Sequence, residues 1–97
     1  MVKSRKTFIV IAYDVTDDKR RGKVIKAIEK YGTRINKSVY ECMVTKSQYE
    51  RLLESLEKII KSGEDQLAIY PLCLDCYAKT KYIPKITQKD ISSSRII

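Results

Sequence analysis

The chain has no histidine. That excludes His-based general acid–base pairs, Ser-His-Asp and Cys-His nucleophile systems, and His-ligated zinc hydrolase sites. Its three glycines, Gly22, Gly32 and Gly63, stand alone. They cannot form a Walker loop or a Gly-rich cradle for phosphates. No apolar run approaches the length of a membrane span. The basic N-terminus leads into an apolar run that ends in Tyr13-Asp14 with no small-residue cleavage site, so we expect no secretory signal. Cysteine is sparse and odd in number: Cys42, Cys73 and Cys76. That set suits a reducing compartment better than a disulfide framework, and the expected location is cytoplasmic, away from membranes.

With these classes removed, carboxylate and metal chemistry remains. The stretch Tyr13-Asp14-Val15-Thr16-Asp17-Asp18 carries the most information. It follows Thr7-Phe8-Ile9-Val10-Ile11-Ala12, an apolar β-branched run that reads as a central strand, and precedes Lys19-Arg20-Arg21. A carboxylate at the end of a core strand is held rigidly and can reach a ligand. Carboxylates beside a basic cluster suit an anionic polymer bridged by a divalent cation. Asp14 is therefore the candidate ligand for Mg²⁺ or Mn²⁺; alternatively it caps the turn after the strand. One carboxylate is a thin site, and a homodimer would bring a second Asp14 across a two-fold axis. Asp17 and Asp18 read as helix N-terminal acids.

Charge is unevenly spread over the 97 residues, whose formal net charge is +8. Residues 1–40 hold eleven Lys/Arg against four Asp/Glu, residues 41–78 four against seven, and residues 79–97 five against one. This asymmetry suggests a basic face and an acidic back, as in a nucleic-acid binder, although lysine-rich solvated surfaces are also common. Arg20, Arg21, Lys23, Lys26, Arg34 and Lys37 are candidate phosphate contacts. Lys19, Lys23, Lys26 and Lys30 form a helical stripe that is ordinarily a solvent face. Tyr13 and Tyr40 could stack on bases, but strand tyrosines ordinarily pack in the core. Cys73-Leu74-Asp75-Cys76 is a lone C-x-x-C. Zinc would need a second pair from another chain, and a redox role would need the motif to open a helix after a strand. Bystander thiols are the ordinary reading.

Hydrophobic spacing predicts an α+β domain. A strand runs about Thr7 to Tyr13, and Thr16 or Asp17 caps a helix whose apolar face is Val24, Ile25, Ala27, Ile28 and Tyr31. Gly32 is the expected helix C-cap. Arg34–Asn36 is extended, a turn or bulge falls near Lys37, and Ser38–Thr45 is a strand. Ser47 and Glu50 match a capping box for a helix carrying Tyr49, Leu52, Leu53, Leu56, Ile59 and Ile60, ended by Gly63. Gln66–Leu72 is a strand, Cys73–Ala78 a loop, and Lys79–Ile86 an extra strand. The order is the ferredoxin-like β-α-β-β-α-β with an additional C-terminal strand: an antiparallel sheet with two helices on one face. Residues 1–90 are read as one domain and 91–97 as a flexible tail. Val39, Met43, Leu67 and Ile69 are expected to leave an apolar sheet face that needs a partner.

Three blocks carry a resemblance: Tyr13 to Arg21, Arg34 to Cys42, and Asp65 to Cys73. Together, in this order and spacing, they resemble the second CRISPR-associated protein family, the small subunit of the spacer-acquisition machinery. The resemblance covers roughly residues 7–85. It implies a homodimer in which the segment after Pro71 crosses to the partner's sheet. It also implies a metal-dependent phosphodiesterase site built on Asp14 from both chains, and a complex with the larger integrase subunit that holds DNA. By the same matching Tyr13, Arg21, Arg34 and Tyr40 correspond to catalytic-site residues, with Ser38 in the same motif. Lys23 sits where some members carry Arg, and Tyr40 where many carry Phe. Members are described as ribonucleases, as deoxyribonucleases, or as needing no nuclease role. Two alternatives stand beside the adaptation role: a stand-alone, toxin-like ribonuclease of the same fold, and a non-catalytic interaction module.

Overall fold

A computed structural model describes residues 5–83. In chain order it contains β1 (Lys6–Asp14), α1 (Asp18–Glu29), β2 (Gly32–Asn36), β3 (Val39–Thr45), α2 (Lys46–Ile59), β4 (Gln66–Leu72) and α3 (Leu74–Ala78). The sheet order is β2-β3-β1-β4, with every pairing antiparallel. Each helix therefore carries the chain past one intervening strand: β3 lies between β1 and β2, and β1 between β3 and β4. This is the predicted ferredoxin-like arrangement.

Alternation along β1 sets the two faces. Ile9, Ile11 and Tyr13 point to the helices, and register places Tyr40 and Ile69 opposite Ile11, Cys42 opposite Ile9, and Leu67 opposite Tyr13. Val24 and Ile28 of α1 and Leu52 and Leu56 of α2 close over them. Truncating Ile28, Leu52 or Leu56 to Ala should cost about 2–5 kcal/mol.

The helix starts come from local side chains. Asp17 is the N-cap of α1 and accepts a hydrogen bond from Arg20 N–H at 2.9 Å. The capping box of α2 is Thr45 with Gln48, two residues before the predicted Ser47–Glu50 pair. Thr45 is the last residue of β3, so strand passes into helix with no loop between, and the cap lies inside the strand's own sequence signal. Helix ends also differ from the glycine positions. α1 ends at Glu29 and Gly32 opens β2 instead. A Cβ at Gly32 would collide with Cys42 Sγ and lie 2.6 Å from the Glu41 carbonyl, so close strand approach, not capping, requires glycine there. α2 ends at Ile59, while Gly63 takes φ +89° within the following turn.

A bulge between Arg34 and Asn36 and a turn at Lys37-Ser38 join β2 to β3, as the sequence predicts. The second sheet face needs correction. Leu67 and Ile69 belong to the helix-side core; the other face carries Phe8, Val10, Ala12, Val39 and Met43. That face is partly covered by this chain itself. The segment Cys73–Ala78, predicted as a loop, contains the short helix α3. Its Tyr77 ring lies 4.4 Å from the Phe8 ring, and the Tyr82 hydroxyl donates to both Glu41 carboxylate oxygens at 2.7 and 2.8 Å. Residues 79–83 form no strand. The rest of the expected extra strand and the expected flexible tail lie outside the described residues. No described helix is long and apolar enough to cross a membrane.

Candidate active site

The C-terminal end of β1 meets the start of α1 and the β2–β3 turn. Tyr13, Asp14, Val15, Arg21, Ile25, Arg34, Lys37 and Ser38 line a cleft of about 580 Å³ there. Its assembly follows from strand register. The Tyr13 N–H donates to the Ser38 carbonyl at 3.0 Å, and its hydroxyl donates to the Lys37 carbonyl at 2.8 Å. These bonds hold the turn against β1.

Two guanidinium groups are fixed by backbone carbonyls. Arg21 donates from Nε to the Val15 carbonyl at 3.1 Å and from Nη2 to the Thr16 carbonyl at 3.4 Å. Its Nη1 pairs with Asp18 at 2.6 Å. Arg34 donates from Nε to the Asn36 carbonyl at 3.3 Å and from Nη2 to the Lys37 carbonyl at 3.2 Å. Its Nη1 has no partner among the described residues. Carbonyls orient a guanidinium without neutralising it, so Arg34 keeps its full charge for an anion, while Arg21 shares its charge with the exposed Asp18 carboxylate.

Asp14 is exposed at the cleft mouth, and its side chain makes no hydrogen bond or ion pair among the described residues. Its carboxylate is free to bind a cation, and hard oxygen is the donor that Mg²⁺ or Mn²⁺ takes. No group of three or more acidic or cysteine side chains suited to a metal occurs among the described residues. Among the described residues, the lining of the cleft offers a single carboxylate ligand.

The structure separates the predicted site residues. Tyr13, Asp14, Arg21, Arg34, Lys37 and Ser38 come together. Tyr13 is 6% exposed and belongs to the core cluster, although it also lines the cleft. Burial raises its hydroxyl pKa, against the opposing charges of Arg34 and Arg21. It is not a ready base. Tyr40 does not line the cleft. It is 1% exposed, its hydroxyl donates to Glu29 at 3.2 Å, and burial with the Glu29 charge raises its pKa to about 12. Its ring lies 6.3 Å from that of Tyr13, tilted by 33°. Lys23 is exposed on α1 and lies outside the cleft.

Arg20 is the largest departure from the sequence expectation. It is tied to the α2–β4 turn, donating from Nε and Nη2 to Asp65 at 2.8 and 3.1 Å and from Nη2 to Glu64 at 3.2 Å. The Asp65 side chain has no exposed surface and also accepts from the N–H groups of Lys61 at 2.8 Å and Thr16 at 3.2 Å. The hydrogen bond from Arg20 holds the Asp65 carboxyl well below the usual carboxylate range, with the two backbone donors adding to it. Asp65 was visible only as a position within a matching block; nothing in its spacing from Arg20 signals the pairing. Val15 and Ile25, the apolar cleft wall, also escaped sequence reasoning, because apolar helix and strand positions read as core.

Comparison with known proteins places this cleft in context. The family model of the CRISPR associated protein Cas2 matches residues 7–80. This chain belongs to the Cas2 family. A Cas2 relative from Rhodospirillum rubrum, named a CRISPR-associated endoribonuclease, is 38% identical over 88 residues, covering 91% of this chain and 71% of that protein. A Chloroflexus aurantiacus Cas2 of the same designation is 39% identical over 89 residues, covering 87% of this chain and 96% of the relative. Among solved structures, Streptococcus pyogenes Cas2 at pH 6.5 aligns with a TM-score of 0.69 and 28% identity over 77% of this chain and 96% of that one. A chain of a partial Cas6-RT-Cas1–Cas2 complex aligns with a TM-score of 0.67 and 32% identity, over 80% and 91%. The Cas2 match spans all three blocks of the resemblance, from Tyr13 through Cys73, and the first two of them carry the cleft.

Proposed function

We propose that this Cas2 family chain is an adaptation subunit that binds duplex DNA and carries a metal-dependent phosphodiester hydrolase site. The observation that carries this reading is the juxtaposition in one cleft of an unpaired carboxylate, Asp14, with two carbonyl-anchored guanidiniums, Arg21 and Arg34. A phosphodiester brings negative charge and a cation with it. Arg21 and Arg34 hold the phosphate, and Lys37 extends the positive rim. Asp14 holds Mg²⁺ or Mn²⁺, which when bound lowers the pKa of its water and polarises the phosphate. No side chain in the cleft is a ready base near neutral pH, which makes the carboxylate the critical group.

The single carboxylate argues for a homodimer that pairs two copies of Asp14. The sheet face bearing Val10, Ala12, Val39 and Met43 supplies apolar surface for that contact. The structural match to a chain from a complex that also contains Cas1 supports partnership with the integrase subunit. The relatives named endoribonucleases support cleavage of RNA as a further activity.

The test is Asp14→Asn, which keeps shape and removes charge. With Mg²⁺, on single-stranded RNA and duplex DNA in parallel, cleavage should fall by about 10²–10³-fold, the worth of several kcal/mol of charge stabilisation. Duplex binding and sedimentation as a dimer should persist. Undiminished cleavage by the variant, or cleavage that survives EDTA, would sink the metal-site reading. A parent protein that binds DNA and cleaves neither substrate would be an architectural subunit only.

A further inference from the structure

The C-x-x-C of this chain opens a helix directly after a strand. Cys73 follows β4 and caps α3, and Cys76 lies within its first turn. The two sulfurs are 3.2 Å apart, and Cys76 N–H donates to Cys73 Sγ, also at 3.2 Å. Both residues are exposed. α3 is only five residues long, so the paired sulfurs, and not a helix dipole, define the feature. Cys42 is the contrast: it is buried, and burial pushes its thiol up to about 11.

We infer that Cys73 and Cys76 form a thiol–disulfide exchange site that takes low-molecular-weight disulfides, with Cys73 the attacking thiol and Cys76 the resolving one. The assignment of roles follows from the geometry. The Cys76 N–H donates to Cys73 Sγ, and the Cys76 sulfur lies 3.2 Å from it, so a thiolate on Cys73 is stabilised. Consistently, the contact with Cys76 lowers the Cys73 pKa, and the same contact raises that of Cys76. In the first step the Cys73 thiolate attacks one sulfur of R–S–S–R. A mixed disulfide forms, and RS⁻ leaves and takes a proton. In the second step Cys76 loses its proton and attacks Cys73 Sγ, releasing the second RSH. The protein gives up two electrons and two protons, and R–S–S–R becomes two RSH. The sulfurs start within reach of bonding, so only side-chain rotation is needed. The bridge sits on the helix whose Tyr77 covers Phe8, so the site marks the cover of the second sheet face.

The experiment uses the full chain in oxidised/reduced glutathione buffers at pH 7, quenched by alkylation and peptide-mapped. The parent should convert to an intramolecular Cys73–Cys76 disulfide, with Cys42 left as a free thiol that alkylates after unfolding. Cys76→Ser should trap glutathione on Cys73 several-fold faster than Cys73→Ser traps it on Cys76, because Cys73 Sγ keeps the Cys76 N–H donor in the first variant and Cys76 Sγ gains no such donor in the second. Equal trapping rates, disulfides linking two chains, or stoichiometric zinc released from the parent by a thiol reagent would each overturn the inference. Both serine replacements are at exposed positions, and the parent's peptide map alone decides the bridge if either variant fails to fold.

Discussion

Arg20 and Arg21 are neighbours in the chain and do opposite work. Arg20 turns toward the α2–β4 turn and is consumed by Asp65 and Glu64. Arg21 turns toward the β1 end, where two main-chain carbonyls position it beside Asp14. Adjacent residues on a helix point about 100° apart, so one basic dipeptide can serve two regions. The clasp is a closed network in which charges cancel and every Asp65 oxygen is used. The cleft is an open one, with a carboxylate unpaired and Arg34 Nη1 free among the described residues. A satisfied network fixes structure; an unsatisfied one at the surface is available for a ligand.

Breaking the clasp should give the largest effect on the fold. Asp65→Ala removes the acceptor shared by Arg20, Thr16 and Lys61, and melting should occur several degrees or more below the parent. The same contact predicts acid sensitivity. The folded-state pKa of Asp65 is depressed, so its stabilisation is present above the ordinary carboxylate pKa near 4 and is lost as pH falls toward the folded value. Unfolding of parent and Asp65→Asn at pH 7, 5 and 3 should show the stability gap narrowing below about pH 4. A gap that is constant with pH would mean the charge of Asp65 contributes nothing.

The cleft should respond in the opposite sense. Arg21→Ala with Arg34→Ala should leave melting close to the parent but weaken duplex binding. The log–log salt slope should drop by about two, one for each phosphate that the variant leaves unneutralised. Arg20→Ala should do the reverse, lowering melting with little change in slope. If Arg20→Ala changes the slope as much as the double variant does, the two regions are not functionally distinct.

The sequence was readable wherever one side chain or one periodicity decided the outcome. Alternation in β1 and β3, the helical spacing of Val24–Ile28 and Leu52–Leu56, and the Asp17 cap all appear in the fold. Asp14 at a strand end, with Arg34 and Lys37 near a turn, was enough to point at the cleft. What stayed hidden depended on residues far apart in the chain. Arg20 and Asp65 are 45 positions apart, and no local pattern links them. Gly32 looked like a cap because its real constraint, Cys42, lies on the neighbouring strand. α3 is too short for periodicity to show; it is held by Cys73 and by Tyr77 on Phe8. Tyr40 matched a site motif yet lies buried against Glu29, because strand alternation put it on the helix side.

The smallest expected effect concerns Lys23, and it sets the border of the cleft region. Lys23 is two residues from Arg21, about 200° around α1, so it faces away from the cleft. It is exposed together with Lys19, Lys26 and Lys30, while Val24 and Ile28 bury the inner face. Lys23→Ala removes no packing and should change stability by less than about 0.5 kcal/mol. Its effect on DNA separates two footprints. If binding is confined to the cleft and the β2–β3 turn, the salt slope should stay with the parent. If duplex DNA also runs across the outer face of α1, the slope should fall by about 0.9, as it would for Arg34→Ala. The cleft geometry favours the first outcome, since Arg21, Arg34 and Lys37 already line the cleft without Lys23. Salt titrations of Lys23→Ala and Arg34→Ala side by side decide it, and equal slopes would extend the binding region over the helix stripe.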